Sequence, residues 1–205
     1  MSAFSHIDAI ILAAGKSSRF KPGNKLLKTL GGLSLIEWVV KKACTREFRS
    51  VIVVTGHDRE RIEAAVADYD VKCIFNPQYD AGMGASIVVG VKDLSGAESY
   101  LIWPADMPLI QIETVEAVCN ALKPARIIAP THKNKRGHPV LFASTFLPDL
   151  MAIPFDTGAR SIIQNYPESI HLIEVDDPAI LCDIDTREQL NACLDSANNG
   201  IRPAD

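Results

Sequence analysis

One loop near the start of the chain combines small residues, hydroxyl groups and cations. It opens with Leu12-Ala13-Ala14-Gly15, and a polar, basic stretch follows. Small residues let backbone N–H groups approach an anion closely, while hydroxyl groups and cations neutralise its charge. The pattern favours a phosphate-binding loop, although a solvated loop between a strand and a helix can have the same composition. The residues expected to form this loop's binding surface are Leu12, Ala13, Ala14, Gly15, Ser17, Ser18, Arg19 and Lys25.

A second segment, residues 76–86, has glycines that precede a predicted helix. The first turn of a helix offers free backbone N–H groups, so this segment is expected to hold a base or a ribose. The residues expected to take part are Asn76, Gly82, Met83 and Ser86. Neither segment has the glycine spacing of a Walker loop or of the Gly-x-Gly-x-x-Gly dinucleotide motif, which disfavours those two classes of site.

Three aspartates are candidates for binding a metal ion. Asp106 directly follows a predicted strand, and carboxylate oxygens are ligands that Mg²⁺ prefers. An Asx turn before Met107 is the structural alternative for this residue. Asp183 and Asp185 offer a second carboxylate. We interpret these two as facing opposite ways, so that Asp183 reaches the metal while Asp185 braces the helix that begins near Thr186.

The densest basic stretch of the chain, residues 131–137, ends in Gly137 and is followed by His138. It is either a solvated surface loop or a flexible rim that attracts an anionic second substrate. His138 is either a packed structural residue or a contact to that substrate. Further along, Asp156 and Arg160 flank a predicted turn into a helix. The residues expected to bind the second substrate are Lys135, Arg136, Gly137, His138, Asp156 and Arg160.

Apolar runs alternate with helix-like patterns along the chain, which indicates parallel β-α-β units. We therefore predict an α/β fold, a three-layer αβα sandwich with a mostly parallel sheet. In such sheets ligands bind beyond the carboxyl ends of the strands, where the loops described above would meet. The predicted strands are 7–13, 50–55, 71–75, 99–103, 126–129, 138–143 and 171–175, and the predicted helices are 33–44, 58–67, 86–91, 112–122, 158–165 and 186–194.

Length and composition suit one globular domain. The 205 residues are 47% hydrophobic and carry a net charge of −4, so no nucleic-acid partner is expected. No apolar run is long enough to span a membrane. The five cysteines form no Cys-x-x-Cys pair, which suggests reduced thiols in a cytoplasmic protein. We predict a single domain over residues 1–195, with a nucleotide-binding part to about residue 110 and an acceptor-binding part from about residue 111, followed by a flexible tail at 196–205.

Six motifs, in order along almost the whole chain, resemble those of the molybdenum cofactor cytidylyltransferases, within the MobA-like NTP transferases. The chain departs from the family at Lys21 and Ala105, where glycine is usual. Alanine at position 14, where the guanylyltransferase branch usually has glycine, favours the cytidylyl branch. The motifs are Leu12 to Arg19, Asn76-Pro77-x-Tyr79 with Gly82-Met83-x-x-Ser86, Ala105-Asp106-Met107-Pro108, Gly137-His138-Pro139-Val140-Leu141-Phe142, Asp156-Thr157-Gly158-Ala159-Arg160, and Asp183-Ile184-Asp185-Thr186.

The resemblance implies a fold of the nucleotide-diphospho-sugar transferase (Rossmann-like) type and a Mg²⁺-dependent transfer of CMP from CTP to the terminal phosphate of molybdopterin. It also implies catalytic roles for Lys25, Arg19 and Asp106, with a molybdenum hydroxylase as a recipient of the product. The same motifs leave open another nucleotide or acceptor, including GTP, a sugar phosphate or methylerythritol phosphate. A non-catalytic carrier of the cofactor is a third hypothesis.

Overall fold

The computed structural model describes residues 4–20, 22–92, 94 and 96–198. Lys21, which departs from the family pattern in the first loop, and residues 199–205 of the expected tail lie outside the described residues. Residues 196–198, which we also assigned to the tail, belong to the last helix.

The described residues contain ten strands and seven helices. The strands are β1 (Phe4–Ala13), β2 (Thr29–Leu30), β3 (Leu33–Ser34), β4 (Phe48–Thr55), β5 (Lys72–Phe75), β6 (Ser99–Pro104), β7 (Ile127–His132), β8 (Lys135–Arg136), β9 (Val140–Ala143) and β10 (Ile170–Glu174). The helices are α1 (Leu35–Cys44), α2 (Arg59–Ala65), α3 (Met83–Val91), α4 (Ile112–Asn120), α5 (Leu147–Met151), α6 (Arg160–Asn165) and α7 (Arg187–Asn198). None of the helices in the described part of the chain is long and apolar enough to cross a membrane.

The main sheet has the strand order β10-β7-β9-β6-β1-β4-β5, with β8 added to β7. All neighbouring pairs along this order are parallel except those of β9, which runs antiparallel to β6 and β7. The carboxyl ends of β1, β4, β5, β6 and β7 therefore meet at one edge, and the loops with candidate functional residues leave from that edge.

Side chains of β1 alternate between two cores, as a strand buried on both faces requires. Ile7, Ala9 and Ile11 pack in one core with helices α1, α2 and α4. Ile10 packs on the other face with helices α3, α5 and α6. Helices thus cover both faces of a mostly parallel sheet, which confirms the predicted αβα sandwich.

A third, smaller core brings distant segments together near the functional edge. Phe20 from the loop after β1, Leu30 from β2 and Leu35 from α1 pack against Ile184 and against Leu190 of α7. This core places residues 183–185 beside the first loop, although they are more than 160 positions apart in sequence.

Several elements differ from the sequence predictions. The β2–β3 hairpin and helix α5 were missed because each is too short for a clear periodic pattern. Helix α3 begins at Met83, three residues before the predicted start, and its N-cap is Gly82. The predicted N-cap of α1 is confirmed, because Ser34 forms a capping box with Glu37. The capping box predicted at Thr186 and Gln189 is also present.

Candidate active site

A cleft of about 370 Å³ opens at the carboxyl edge of the sheet. Its walls come from the loop after β1, the turn before α3, the loop after β6 and the segment before α7. The lining residues are Leu12, Ala14, Gly15, Ser17, Ser18, Arg19, Lys25, Leu26, Tyr79, Gly82, Met83, Ser86, Pro104, Asp106, Asp183 and Asp185.

Most residues expected to contact the nucleotide line this cleft, and the exceptions are Ala13 and Asn76. Ala13 is fully buried at the end of β1 and packs in the sheet core. Asn76 is also fully buried, and its Nδ2 donates to Ser86 Oγ at 3.1 Å. Its Oδ1 accepts from the backbone N–H of Gln78 at 2.9 Å. Asn76 therefore lies behind the cleft wall, where it orients Ser86 and the turn that follows β5.

The first loop is held in shape by Ser17 and Asn24. Ser17 has a φ of 53°, which turns the chain sharply after Gly15. Its hydroxyl donates to Asn24 Oδ1 at 3.0 Å and accepts from the backbone N–H of Lys25 at 3.2 Å. Asn24 in turn accepts from the N–H of Leu26 and caps the short 3-10 helix at Lys25–Leu27. These bonds fix the backbone from which the Lys25 side chain enters the cleft.

Lys25 is the centre of a charged cluster in the cleft. Its Nζ donates to Asp106 Oδ2 at 2.7 Å and to Asp185 Oδ1 at 2.5 Å. Arg19 Nη2 lies 2.5 Å from the other oxygen of Asp185. Lys25 is 9% exposed, whereas the Arg19 side chain is 72% exposed and free to reorient toward a ligand.

Asp106, Asp183 and Asp185 converge, with one oxygen from each lying within 4.8 Å of the others. Our expectation that Asp183 and Asp185 face opposite ways was wrong. Residues two apart in an extended segment share a face, and it is the intervening residue that points away. Ile184 does so, because its side chain is buried in the third core. Asp185 consequently contacts Lys25 and Arg19 with its side chain, while its backbone N–H donates to Gln189.

The pKa values of this cluster shift in opposite directions. Burial and the hydrogen-bonded carboxylate of Asp185 raise the pKa of Asp183 above its usual value. Burial also acts to raise the pKa of Asp185, but hydrogen bonds from Lys25 and Asp183 outweigh it and lower that pKa. Burial would lower the pKa of Lys25, and the adjacent Asp106 and Asp185 reverse this effect and raise it. Asp185 thus faces Lys25 as an anion, and Asp183 protonates more readily than Asp185.

These carboxylates fit a hard divalent cation. Their ligand atoms are all oxygens and converge on one point, which is the kind of donor set that Mg²⁺ takes from a protein. The Lys25 ammonium group already lies between two of them, which shows that this point accepts positive charge. A cation there would be held by Asp106 with Asp185, Asp183 or both.

None of the six residues expected to bind the second substrate lines the cleft. Lys135 and Arg136 form strand β8, which turns back onto β7 through Lys133 and Asn134. Both turn residues have positive φ values, 51° and 63°, as a tight two-residue hairpin requires. The backbone N–H of Lys133 donates to Glu174 Oε1. The basic stretch, for which we left a solvated surface loop and a flexible rim as alternatives, therefore forms an anchored hairpin at the functional edge, with residues 133–136 exposed.

His138 and the 153–160 segment lie near two different cleft residues, Asp106 and Gly82. His138 Nδ1 is buried without a hydrogen-bond partner among the described residues. Burial lowers the pKa of His138, and the nearby Asp106 carboxylate partly opposes this. Asp156 is exposed, and its Cα would lie only 3.1 Å from a Cβ at Gly82. The backbone N–H of Gly84 donates to Phe155 O at 2.9 Å, so the nucleotide turn and this segment are in direct contact.

Sequence reasoning missed some cleft residues and one close approach. Leu26, Tyr79 and Pro104 line the cleft and were not named as contacts, although Leu26 follows Lys25, Tyr79 belongs to the second motif and Pro104 precedes the third. Gly56, directly after β4, was not considered. A Cβ there would lie 2.5 Å from Tyr79 Cβ and 2.7 Å from Ala14 O. A glycine directly after a buried strand is a signal that could have identified this position.

A comparison with protein families identifies the family of this chain. The MobA-like NTP transferase domain family matches residues 9–170. The chain belongs to this family. It is therefore a nucleotidyltransferase, and the cleft is the candidate for its active site. The expected fold type is confirmed, because solved nucleotidyltransferase structures superimpose on nearly the whole chain.

Similar proteins show how far the likeness extends. The chain is 24% identical over 196 residues to nicotine blue oxidoreductase of Paenarthrobacter nicotinovorans, covering 92% of this chain and 96% of that protein. It is 32% identical over 123 residues to the bifunctional protein GlmU of Acidovorax sp. (strain JS42), covering 56% of this chain but only 26% of GlmU. The chain thus spans about a quarter of that relative's length.

Two solved structures share the fold of this MobA-like chain. A nucleotidyl transferase from Methanothermobacter thermautotroptrophicus superimposes with a TM-score of 0.83 at 22% identity, covering 95% of this chain and 98% of that one. Rv0371C of Mycobacterium tuberculosis H37Rv, solved in complex with manganese, has a TM-score of 0.79 at 20% identity and covers 93% and 99% of the two chains.

Proposed function

We propose that this MobA-like nucleotidyltransferase transfers CMP from CTP to the terminal phosphate of molybdopterin or the molybdenum cofactor, in the cytoplasm and with Mg²⁺. The observation that carries the proposal is the contact of Lys25 with Asp106 and Asp185 inside a cleft at the strand ends. The preference for cytidine is supported by the resemblance at Ala14, which lines the same cleft.

The proposed reaction exchanges one P–O bond for another. An oxygen of the acceptor phosphate bonds to the α-phosphorus of CTP, and the bond from that phosphorus to the oxygen bridging the α- and β-phosphates breaks. The electron pair of that bond leaves with pyrophosphate. The acceptor phosphate is already an anion at neutral pH, so the site must neutralise charge rather than activate a serine or cysteine nucleophile.

The cluster around Lys25 suits that task. Lys25 and Arg19 are positive groups in the cleft, and both can exchange a carboxylate partner for phosphate oxygens. Asp106 would hold the divalent cation, together with Asp185, Asp183 or both. A bound Mg²⁺ would supply charge that stabilises the phosphate oxygens and the leaving pyrophosphate. Backbone N–H groups near Gly15 and Gly82 are open to the remaining polar atoms of the nucleotide.

The anionic acceptor would approach from the side of the β7–β8 hairpin and the 153–160 segment. Lys135 and Arg136 are exposed there and would attract a phosphate by charge. Gly137, His138, Asp156 and Arg160 complete the proposed acceptor side. The contact between Gly84 and Phe155 ties this side to the nucleotide turn, so the two substrates would lie next to each other.

The test is pyrophosphate release from a panel of nucleoside triphosphates, with Mg²⁺ and molybdopterin present. Turnover with CTP that exceeds turnover with GTP, ATP and UTP would support the proposal. Asp106→Asn should abolish this turnover, whereas Lys16→Met should not. Lys16 pairs with Asp80 on the surface and does not line the cleft, so it is a matched charge control.

Turnover with GTP alone, or with a sugar phosphate or methylerythritol phosphate in place of molybdopterin, would contradict the finer proposal but keep the family's chemistry. Cofactor binding that Asp106→Asn leaves intact, without turnover of any triphosphate, would indicate a carrier.

The relative from Paenarthrobacter raises a second candidate, because its name is that of an oxidoreductase. Hydride transfer requires a redox cofactor, which carries that chemistry itself. The cation-and-carboxylate cluster suits phosphate chemistry instead, which is why we favour nucleotidyl transfer. Reduction of nicotine blue by a nicotinamide cofactor in the presence of this protein, with no pyrophosphate release from any triphosphate, would reverse that preference.

A further inference from the structure

Lys42 lies in the last turn of α1, on the side that packs against the loop after β6. Its Nζ donates to Pro108 O and to Ile110 O, each at 2.7 Å. The Nζ atom also lies over the Trp38 ring, 5.9 Å from its centroid. Burial lowers the pKa of Lys42 to about 8, and the nearby Asp177 and Glu113 carboxylates oppose the fall. Burying an ammonium group is costly unless it is hydrogen-bonded, and here the two carbonyl groups supply those bonds.

The loop that Lys42 contacts begins with Asp106. Farther along, the buried carboxylate of Asp177 accepts from the backbone N–H of Gln111 at 2.8 Å and from Thr114 Oγ1 at 2.8 Å. In the connection between Asp106 and α4, Lys42 thus holds two carbonyl groups and Asp177 holds one N–H group. These charge-assisted bonds are about twice as strong as neutral ones, so they limit the positions the loop can take.

The same loop fixes the second acidic segment. The backbone N–H of Ile184 donates to Asp106 O at 2.9 Å, which ties residues 183–185 to the Asp106 backbone. A displacement of the Asp106 loop would therefore strain or break this bond and change the spacing of Asp106 from Asp183 and Asp185. The close approach of the three carboxylates depends on the distance between the Asp106 loop and residues 183–185.

We propose that Lys42 is a positioning residue for the carboxylate cluster: by holding Pro108 O and Ile110 O it keeps Asp106 at the distance from Asp183 and Asp185 that a divalent cation requires. Lys42 lines no part of the cleft and contacts none of the three aspartates. This inference rests on the proposed function in one respect, namely that the cluster binds a cation. Partners that orient metal ligands are typically worth 10- to 100-fold in metal affinity.

The test is Mn²⁺ binding to the free protein, measured by the electron paramagnetic resonance signal of unbound Mn²⁺, without nucleotide or acceptor. Lys42→Met keeps the apolar stem and removes both hydrogen bonds, and we expect its Kd for Mn²⁺ to rise about tenfold or more. Lys41→Met is the matched control, because Lys41 is the exposed neighbour on the same helix. We expect its Kd to stay within about twofold of the native protein. Circular dichroism and melting temperature would show that both variants are folded during the measurement.

A folded Lys42→Met variant with the native Kd for Mn²⁺ would overturn the inference, as would an equal loss in Lys41→Met. Where Lys42→Met does not fold, Lys42→Gln replaces it, since the glutamine amide is uncharged and its shorter side chain cannot reach both carbonyl groups. A Kd raised several-fold in Lys42→Gln supports the inference, and a native Kd overturns it. The Asp106→Asn variant distinguishes a failure of this inference about Lys42 from a failure of the proposed function. If the native protein and Asp106→Asn bind Mn²⁺ equally, the proposed cation site itself is wrong, whatever Lys42 does.

Discussion

Lys25 Nζ lies 2.5 Å from Asp185 Oδ1, and this contact joins the phosphate loop to a segment 160 residues away. The same ammonium group donates to Asp106 at 2.7 Å, so one cation contacts two of three converging carboxylates. The charge of the carboxylates in the site without ligands is therefore partly balanced by Lys25 and Arg19, and binding of a triphosphate with a divalent cation exchanges these charge partners.

Lys25→Met should destabilise the protein in the absence of divalent cations, because it leaves adjacent partly buried carboxylates without a counter-charge. We expect the free energy of unfolding to fall by about 2 kcal/mol or more. Added Mg²⁺ should restore part of the loss if the carboxylates bind it. Urea denaturation with EDTA and with Mg²⁺ measures both effects.

Lys16→Met serves as the control for that experiment. Its partner Asp80 is 56% exposed, and surface pairs contribute at most about 1 kcal/mol. A stability loss in Lys25→Met that equals the loss in Lys16→Met would contradict the charge-balance interpretation.

The three aspartates should differ in their effect on turnover. Asp106→Asn and Asp185→Asn should each lower kcat/KM by about two orders of magnitude or more, because both lie at Lys25 and on the proposed cation site. Asp183 is exposed and its pKa is raised, so Asp183→Asn should cost less, about tenfold. Steady-state kinetics at saturating Mg²⁺ would rank them, and a far larger loss in Asp183→Asn than in Asp185→Asn would reverse the assignment.

Gly84, which is buried next to the cleft turn, and Gly15, which lines the cleft, should respond differently to alanine. A Cβ at Gly84 would lie 2.4 Å from Pro154 O, so Gly84→Ala should displace the 153–155 segment and cost about 1–3 kcal/mol of stability. A Cβ at Gly15 would meet nothing within 4 Å, so Gly15→Ala should keep the native stability. Its methyl group would nevertheless enter the cleft and weaken triphosphate binding. Chemical denaturation and nucleotide titration of both variants separate these outcomes, and equal stability losses would contradict them.

The free energy of unfolding should depend on pH through the lowered pKa of Lys42. Its pKa is about 8 in the folded protein against an ordinary value of 10.5, so between these pH values the unfolded chain binds more protons than the folded one. The contribution of Lys42 to the free energy of unfolding therefore rises with pH over that range. The free energy of unfolding of the native protein should increase relative to that of Lys42→Met by roughly 1–3 kcal/mol from pH 8 to pH 10.5.

Urea denaturation of both proteins at matched pH values tests this point. Taking the difference between them cancels the thiol and tyrosine groups that titrate in the same range. A difference that is constant across the range would show that the Lys42 ammonium group does not have the environment described.

The sheet and the nucleotide loops were predictable because they depend on local patterns. Buried strands such as β1 and glycine-rich turns such as that at Gly82 are recognisable in single segments of sequence. The orientation of Asp183 and Asp185 required attention to the residue between them. Ile184 is apolar in an otherwise polar segment, and its burial sends both aspartates to the same side.

Other features depend on tertiary contacts that no local pattern encodes. Asn76 reads as a ligand contact in sequence, but it is buried behind Ser86. Lys42 reads as an exposed residue at the end of an amphipathic helix, and only the packing of the 108–110 loop turns it inward. The β7–β8 hairpin has too few residues for a strand pattern, and its anchor, Glu174, lies 38 residues beyond Arg136 in sequence.

The activity that we propose for this cleft is the transfer of CMP to a phosphate of molybdopterin. The most direct measurement incubates the protein with Mg²⁺, molybdopterin and CTP labelled at the α-phosphate, and follows the label by chromatography and mass spectrometry. We expect a labelled molybdopterin product that carries one CMP and forms together with an equimolar amount of pyrophosphate. The Asp106→Asn variant should not form this product. Label that stays in CTP, while another triphosphate or another phosphorylated acceptor is converted, would contradict it.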